Sequence, residues 1–202
     1  MVHVMHMLPR TLLHALLLSR RAPRIPITGV ARSTFRVWPT DLDILRHMNN
    51  GKYLSVMDIG RFALMQHTGL DTVFSRERWY PVVVGQTISY RKSLLPWQRF
   101  TIESRILGFD EQAVYIEQRF VRPDSAGQPE IYARAVVRGR ILRRGGGVVP
   151  VTELMQKTGA DRAEFNVPAA VLAWGSATRL PSTRDAAPSV WASGSESVHA
   201  FE

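Results

Sequence analysis

The chain has 202 residues, of which 45% are hydrophobic and 21% charged, so it is long enough to bury one substantial core. It contains no cysteine, which excludes thiol nucleophiles, thiolate zinc sites, iron–sulfur clusters and disulfides. The formal net charge is +9, and 23 of the 26 basic residues are arginine, a composition that favours an anionic partner bound through bidentate contacts.

The first 28 residues are interpreted as a basic leader with a short helix. Residues 1–40 contain six arginines and no acidic residue, and residues 8–18 are rich in leucine. This stretch is shorter than the roughly 20 residues that a membrane-spanning helix needs, and no secretory cleavage site follows it. Two interpretations stay open: a helix that contacts an anionic membrane or directs import, and a helix that caps the domain. We expect a cytoplasmic protein, peripheral on a membrane under the first interpretation.

A strand and then a long helix are predicted next. The strand covers Ala31 to Trp38, and a polar turn that contains proline follows it. The helix covers Gly51 to Thr68, where polar residues recur every three to five positions and form only a narrow stripe. Gly69 then supplies a left-handed C-terminal cap. Because most of this helix is apolar and no comparable helix follows it, we expect a sheet to cover it.

Four strand patterns follow, at residues 80–94, 100–107, 112–122 and 131–142. The last of them places apolar residues on one face and Arg134, Arg138 and Arg140 on the other. The connections are short enough to join antiparallel neighbours. Residues 29–144 are therefore expected to form an α+β domain. Residues 145–180 contain two predicted accessory helices, at 151–158 and near 168–174, and residues 181–202 have the composition of a flexible tail.

The densest group of polar residues lies between the first strand and the long helix. It contains Asp41, Asp43, His47, Asn49 and Asn50. Backbone N–H groups at a helix start have no partner within the helix and carry about half a positive charge together, so they stabilise a developing oxyanion. With a carboxylate and an imidazole beside them, they suit acyl transfer. Each residue alone is better explained as a cap or a turn residue. Only the resemblance of the whole string to a known family favours a catalytic site.

The assembled string resembles a known family. Its matching residues are Asp41-Leu42-Asp43, His47-Met48-Asn49-Asn50, Tyr53-Leu54, Asp58 and Arg61. They are similar to the hotdog-fold acyl-CoA thioesterases of the 4-hydroxybenzoyl-CoA thioesterase-like class, and most of all to the thioesterase superfamily member 6-like proteins. The resemblance covers residues 33–144. It implies a hotdog fold, in which a curved antiparallel sheet of about five strands wraps a long central helix, and a homodimer or dimer of dimers with active sites between subunits.

The resemblance also implies roles for the acidic residues and the histidine. Asp43 matches the catalytic aspartate, which serves as nucleophile or general base against the thioester carbonyl, and Asp41 matches a neighbouring, less essential acid. His47 matches a histidine of the related plant acyl-carrier-protein thioesterases. In those proteins an asparagine lies two residues earlier, whereas this chain has Leu45. His47 is therefore expected either to take part in catalysis or only to orient the loop or the substrate.

Further roles are implied around the helix. The backbone amides near Asn50 and Gly51 match the helix start that polarises the carbonyl. The side chains of Asn49 and Asn50 are expected to shape the same loop rather than to take part in bond-making. Asp58 and Arg61 have two interpretations: a pair that supports the site, or an ordinary i,i+3 ion pair of a helix surface, which is favoured.

The expected substrate is an acyl-CoA, and no metal or bound cofactor is expected. Coenzyme A carries a pyrophosphate and a 3′-phosphate, which Arg91 and Lys92 are candidates to bind. The arginine face of the strand at 131–142 is a second candidate. Basic residues on strands are more often solvated than bound to phosphate, so neither assignment follows from the residues alone.

Other functions are weighed against this one. A non-catalytic hotdog protein that binds acyl-CoA or lipid is the alternative, because Leu45 removes a polar partner of His47. A hotdog hydratase has the pattern Asp-x-Asn-Pro-x-His, whereas the interval from Asp43 to His47 is one residue shorter and lacks the proline. Charge alone also suits nucleic acid, but no binding motif accompanies it. The sequence therefore predicts an acyl-CoA thioesterase of fatty acid metabolism that does not bind nucleic acid.

Overall fold

The computed structural model describes residues 23–189, which divide into two compact units between Asn166 and Val167. The strands of the first unit are β1 (Ala31–Arg36), β2 (Trp79–Tyr90), β3 (Arg99–Phe109), β4 (Val114–Pro123) and β5 (Pro129–Arg143). Its α-helices are α1 (Asn50–Thr68), α2 (Leu70–Glu77) and α3 (Val151–Thr158), and short 3-10 helices cover Pro39–Asp41 and Arg162–Glu164. The second unit contains α4 (Ala169–Ala177).

The strands form one antiparallel sheet in the order β1-β3-β4-β5-β2, and α1 packs on one face of it. Side chains alternate between buried and exposed along β1, as the twofold period of a strand requires. Val56 and Met57 of α1 are fully buried against Phe100, Ile102 and Phe120 of the sheet. Burial of each large apolar side chain stabilises the fold by about 1.5–3 kcal/mol. The predicted α+β architecture, with a sheet that covers the long helix, is therefore confirmed.

The helix α2 is not predicted from the sequence. Gly69 ends α1 with a φ of 81°, the predicted left-handed cap, but the chain then forms a second short helix. Leu70 and Phe74 of α2 are buried beside Trp79. A helix of only eight residues shows too few turns for its period to be recognised. The strand β2 also ends at Tyr90 rather than at residue 94, because the next two N–H groups both donate to one carbonyl oxygen, that of Tyr132.

The first compact unit extends beyond the expected limits of residues 29–144. Val149, Val151 and Leu154 are buried in the same apolar cluster as the end of α1. Ile25, within the predicted leader, packs on this cluster and its N–H donates to the carbonyl of His67. The predicted leader helix and the tail beyond residue 189 lie outside the described residues. Within residues 23–189, no helix is both long enough and apolar enough to span a membrane.

The helix α1 lies close to the sheet at Gly60. An ideal Cβ atom at this position would lie 3.0 Å from Gln118 Nε2 and 3.0 Å from Ile102 Cγ2. Gln118 is fully buried, and its Nε2 donates to the Met57 carbonyl at 3.0 Å and to Ser104 Oγ at 2.9 Å. The amide therefore cannot move away without breaking hydrogen bonds.

We predict that Gly60→Ala lowers the free energy of unfolding by about 1–2 kcal/mol, because overpacking outweighs the gain in helix propensity. Chemical denaturation measures the change. The control is Gly145→Ala, where no atom lies within 4 Å of the new Cβ, and we expect a change below about 0.5 kcal/mol. Equal stability of the Gly60→Ala protein and the unmodified protein would contradict the close contact.

Candidate active site

The loop between β1 and α1 is closed by its own hydrogen bonds. Asp43 Oδ1 accepts from the backbone N–H of Leu45 at 2.9 Å and of His47 at 3.2 Å. The Asp43 N–H in turn donates to the His47 carbonyl at 2.8 Å. Arg46 has a φ of 64°, so the chain turns through a left-handed residue. The Asp43 carboxylate is thus fixed through Oδ1, and Oδ2 has no hydrogen bond to any residue of the described part of the chain.

Tyr53 and Leu94 anchor this loop to the body of the domain. The Met48 N–H donates to the Leu94 carbonyl at 2.8 Å, and the Leu94 N–H donates to the Tyr53 hydroxyl at 3.3 Å. All three residues are buried, and the Tyr53 ring also contacts the rings of Tyr90 and Phe120. Burial raises the pKa of Tyr53, so its hydroxyl stays neutral and can accept the hydrogen bond.

Asp41 and Asn49 act as structural caps. Asp41 is 1% exposed; its Oδ2 accepts from the Trp38 N–H at 2.9 Å, and its carbonyl accepts from the Asn49 N–H. Asn49 Oδ1 accepts from the Gly51 N–H at 2.9 Å and so caps α1. This corrects the expectation that the Gly51 amide is available to an oxyanion. Asn50 is the first helical residue, and its N–H has no acceptor within the helix.

This loop forms one wall of an open surface cavity of about 340 Å³. Five residues predicted for the site line it: Asp43, His47, Asn50, Arg91 and Lys92. The other lining residues are Leu45, Met48, Tyr53, Tyr90 and Ser93. The cavity therefore combines a carboxylate, an imidazole and the start of a helix with two neighbouring cations, which lie more than 40 residues further along the chain than His47.

The two cations at this cavity share one acidic residue. Arg91 Nη1 donates to Glu130 Oε1 at 2.7 Å, and Lys92 Nζ donates to Glu130 Oε2 at 2.8 Å. These hydrogen bonds lower the pKa of Glu130, so the carboxylate is charged at neutral pH. Arg91, Lys92 and Glu130 together carry one net positive charge at this wall of the cavity. Sequence reasoning missed Glu130, and no local pattern connects it with the loop at Asp43.

Asp58 and Arg61 form an i,i+3 ion pair but do not line the cavity. Arg61 is mostly buried and also donates to Gln118 Oε1 at 2.7 Å, which ties α1 to β4. Burial lowers its pKa to about 10, so it stays charged at neutral pH. Eleven residues of helix separate it from Asn50, a rise of about 16 Å. The pair therefore belongs to the packing of α1 on the sheet, not to the cavity.

The arginines on the outer face of the sheet bind acidic and polar residues of the chain itself. Glu117 is 1% exposed and accepts from Arg105, Arg119 and Arg134 at 2.7–3.0 Å. Further pairs on this face are Arg138 with Asp110 and Arg140 with Gln112. These contacts disfavour the second candidate for the phosphate site, since the arginines of this strand face already have partners within the sheet.

The buried hydroxyl of Tyr53 is expected to stabilise the fold. We expect Tyr53→Phe to lower the free energy of unfolding by about 1–2 kcal/mol, because the substitution leaves the buried Leu94 N–H without an acceptor. Denaturation measures stability, and hydrogen exchange at the Met48 amide reports loosening of the loop. Tyr80→Phe, at an exposed tyrosine of β2, is the control and should change neither quantity.

The pKa of the buried Glu117 carboxyl makes the stability of the fold depend on pH. Burial alone raises its pKa, but the hydrogen bonds from Arg105 and Arg119 outweigh burial and lower the pKa below its ordinary value of 4.5. A carboxyl group whose pKa is lower in the folded state than in the unfolded state stabilises the fold. This stabilisation is fully present at a pH above the unfolded-state pKa, and it is lost as the pH falls through the folded-state pKa.

We therefore expect Glu117→Gln to lower the free energy of unfolding at neutral pH by about 2 kcal/mol, since three arginines lose their counter-ion. The variant should also lose less stability on acidification than the unmodified protein. Denaturation curves across a pH series measure both effects. The matched control is Glu103→Gln on the same face, whose one ion-pair partner within residues 23–189, Arg32, is largely exposed. An equal loss in both variants would contradict a special role for the buried cluster.

The family model of the thioesterase-like superfamily matches residues 37–175, and this chain belongs to that superfamily. Protein THEM6 of Xenopus laevis is 36% identical over 138 residues, which are 68% of this chain and 63% of that protein. Protein THEM6 of Danio rerio is 41% identical over 86 residues, 43% of each chain. The chain thus spans less than two thirds of the length of these relatives. The predicted similarity to the thioesterase superfamily member 6-like proteins is confirmed.

Solved structures show the same fold at low sequence identity. The probable thioesterase YbaW from Escherichia coli is 20% identical with a TM-score of 0.57, over 63% of this chain and 95% of that one. A mutant of 4-hydroxybenzoyl CoA thioesterase complexed with 4-hydroxybenzoyl CoA is 13% identical with a TM-score of 0.58, over 65% of this chain and 99% of that one. These likenesses confirm the predicted hotdog fold.

Proposed function

We propose that this protein is an acyl-CoA thioesterase, which hydrolyses an acyl thioester to a free acid and coenzyme A. The observation that carries the proposal is the cavity shared by Asp43, His47, Asn50, Arg91 and Lys92. Membership of the thioesterase-like superfamily supports the same reaction class. Each group in the cavity has a distinct part in thioester hydrolysis.

Asp43 acts on the thioester carbonyl as nucleophile or general base. As nucleophile it forms a C–O bond and the C–S bond breaks, which gives an anhydride that water then hydrolyses. As general base it takes a proton from the water that attacks the same carbon. Both routes place negative charge on the carbonyl oxygen, and the Asn50 N–H at the start of α1 stabilises that charge. His47 orients the substrate beside Asp43.

The basic pair at the cavity wall holds the substrate. A pyrophosphate carries more negative charge than the Glu130 carboxylate. Guanidinium and ammonium groups bind phosphate oxygens through charge-assisted hydrogen bonds. The remaining positive charge of Arg91 and Lys92 therefore favours a coenzyme A thioester over an uncharged thioester.

We expect Asp43→Asn to lower kcat by about a thousandfold or more, because the amide can neither attack the carbonyl nor accept the proton of water. Free-thiol release from short-chain, medium-chain, long-chain and aromatic acyl-CoAs measures the rate. Asp71→Asn, an acid on α2, is the matched control and should keep full activity. Tight binding of acyl-CoA without turnover by the unmodified protein would instead support the non-catalytic binding function.

We also propose that two copies pair through β2. This strand is at the edge of the sheet, and Tyr80, Val83, Val84 and Tyr90 along it are 39–46% exposed. A long edge strand with apolar side chains favours pairing with another strand. Because Tyr90 also lines the cavity, a partner on β2 would lie beside the active site.

A charged residue introduced in the middle of β2 tests the proposed dimer. Val84→Lys should convert a dimer into a monomer, because the lysine would have to be buried without a partner. Sedimentation velocity measures the assembly. Val148→Lys, at another exposed valine, is the control and should leave the assembly unchanged. A dimer of dimers would sediment as a tetramer and fall to a smaller species in the Val84→Lys protein. A monomeric unmodified protein would contradict the proposal.

A further inference from the structure

Exposed apolar side chains are concentrated in two loops at one end of the sheet, the β1–α1 loop at residues 37–49 and the β2–β3 loop at residues 91–98. Five large hydrophobic residues within residues 23–189 are at least half exposed, and four of them lie in these loops. They are Ile44 at 98%, Leu45 at 67%, Trp97 at 55% and Trp38 at 50%. Single exposed apolar residues are ordinary, whereas a concentration of them marks a surface that contacts a partner.

Backbone hydrogen bonds join the two loops into one surface. The Trp97 N–H donates to the Val37 carbonyl at 2.9 Å, and the Met48 N–H donates to the Leu94 carbonyl at 2.8 Å. The rings of Trp38 and Trp97 meet edge to face, with centroids 5.9 Å apart. The exposed side chains are therefore presented by ordered backbone.

Each loop turns through a residue with a left-handed backbone. Arg46 has a φ of 64° and Trp97 has a φ of 65°. This conformation is unfavourable for residues with a Cβ atom, and glycine or asparagine would adopt it at a lower cost. Strain at exposed side chains, which add nothing to the core, points to a binding role.

The charge around these loops is positive. Arg46 follows the exposed tip of the β1–α1 loop, and Arg99 follows the β2–β3 loop. Neither arginine forms an ion pair in the part of the chain that the structure describes. The β2–β3 loop contains no acid. The acids of the β1–α1 loop are Asp41, which is buried, and Asp43, whose Oδ1 is bonded within the loop.

We infer that these two loops dock on an anionic lipid surface. Aliphatic side chains enter the acyl region of a membrane, and tryptophan rings prefer the boundary between the acyl chains and the headgroups. Arginine binds lipid phosphate and is attracted by anionic headgroups. A protein partner would have to place an acid at each arginine, whereas anionic lipids supply phosphate wherever an arginine lies. This contact is separate from the leader helix that the sequence predicts.

Docking would bring the active-site cavity to the lipid. Leu45 lines that cavity, and its neighbour Ile44 is the most exposed residue of the docking surface. Acyl thioesters with long chains partition into membranes, so the substrate would be concentrated at the mouth of the cavity. This consequence rests on the proposed function, whereas the docking itself does not.

Vesicles of phosphatidylcholine and phosphatidylserine in equal parts are the probe, and flotation of the full chain with them measures binding. We expect the unmodified protein to bind, more weakly as the salt concentration rises and more weakly to phosphatidylcholine alone. Ile44→Glu should weaken binding by about tenfold or more, because it removes an inserted side chain and adds a charge that anionic lipids repel. The melting temperature should stay constant, since Ile44 is 98% exposed.

The matched control is Leu180→Glu, at an aliphatic residue of the second unit that is 84% exposed. It should change vesicle binding by less than about twofold. Equal affinity of the Ile44→Glu and unmodified proteins, or an equal loss in the Ile44→Glu and Leu180→Glu proteins, would overturn the inference.

Trp97→Asn separates the role of the ring from folding. Asparagine tolerates the left-handed conformation, so the melting temperature should stay constant or rise, while vesicle affinity falls by about tenfold. Vesicles should also shift the tryptophan emission of the unmodified protein to shorter wavelength, and shift that of the variant less. An unchanged affinity of Trp97→Asn would contradict insertion of the ring.

Leu16→Glu, in the predicted leader, separates two sources of membrane binding. Binding that falls in this variant and is unchanged in Ile44→Glu would assign the contact to the leader and overturn the inference. So would an unmodified protein that binds no vesicles. A larger assembly that Ile44→Glu and Trp97→Asn dissociate, measured by sedimentation velocity without lipid, would show a contact between copies of the chain and overturn it as well.

These measurements need no turnover, so the two proposals fail separately. Vesicle binding that depends on Ile44 and Trp97, in a protein that releases no thiol from any acyl-CoA, would reject the thioesterase and keep the docking surface. Thiol release that depends on Asp43, without vesicle binding, would do the reverse.

Discussion

The burial of α1 on the sheet is the constraint on which the rest of the structure depends. Val56, Met57 and Ile59 lie almost completely inside the core, so the helix cannot shift without exposing them. That fixed position sets where the first amide of α1 lies and where the Tyr53 hydroxyl meets the loop before β3. The candidate site is thus built at one end of an element whose middle is held by apolar packing.

The helix and the sheet could be predicted because their patterns are long. Nineteen residues of α1 display several turns, and alternation along β1 shows which face is buried. The eight residues of α2 do not give such a signal. The end of β2 was misjudged because Arg91 and Lys92 leave the strand through hydrogen bonds to Tyr132, a contact between distant residues that no local pattern reports.

The candidate site was predictable as a string of residues but not as a set of contacts. The types of Asp43, His47 and Asn50 pointed to acyl chemistry, whereas the occupation of the Gly51 amide by Asn49 became visible only in the fold. The same holds for the arginines of the sheet. Their alternation predicted a basic face, but Glu117 in the neighbouring strand neutralises part of it, and strand pairing determines which acid meets which arginine.

The two loops at the cavity end of the sheet are joined by backbone hydrogen bonds in three places. Val37 bonds with both Trp97 and Gln98, and Met48 bonds with Leu94. A ligand therefore meets walls that are already ordered, and little conformational entropy is lost when it binds. Such preorganisation makes association resemble the docking of rigid surfaces. It also means that an insertion in either loop would disturb the active-site cavity, because the hydrogen bonds would transmit the displacement from one loop to the other.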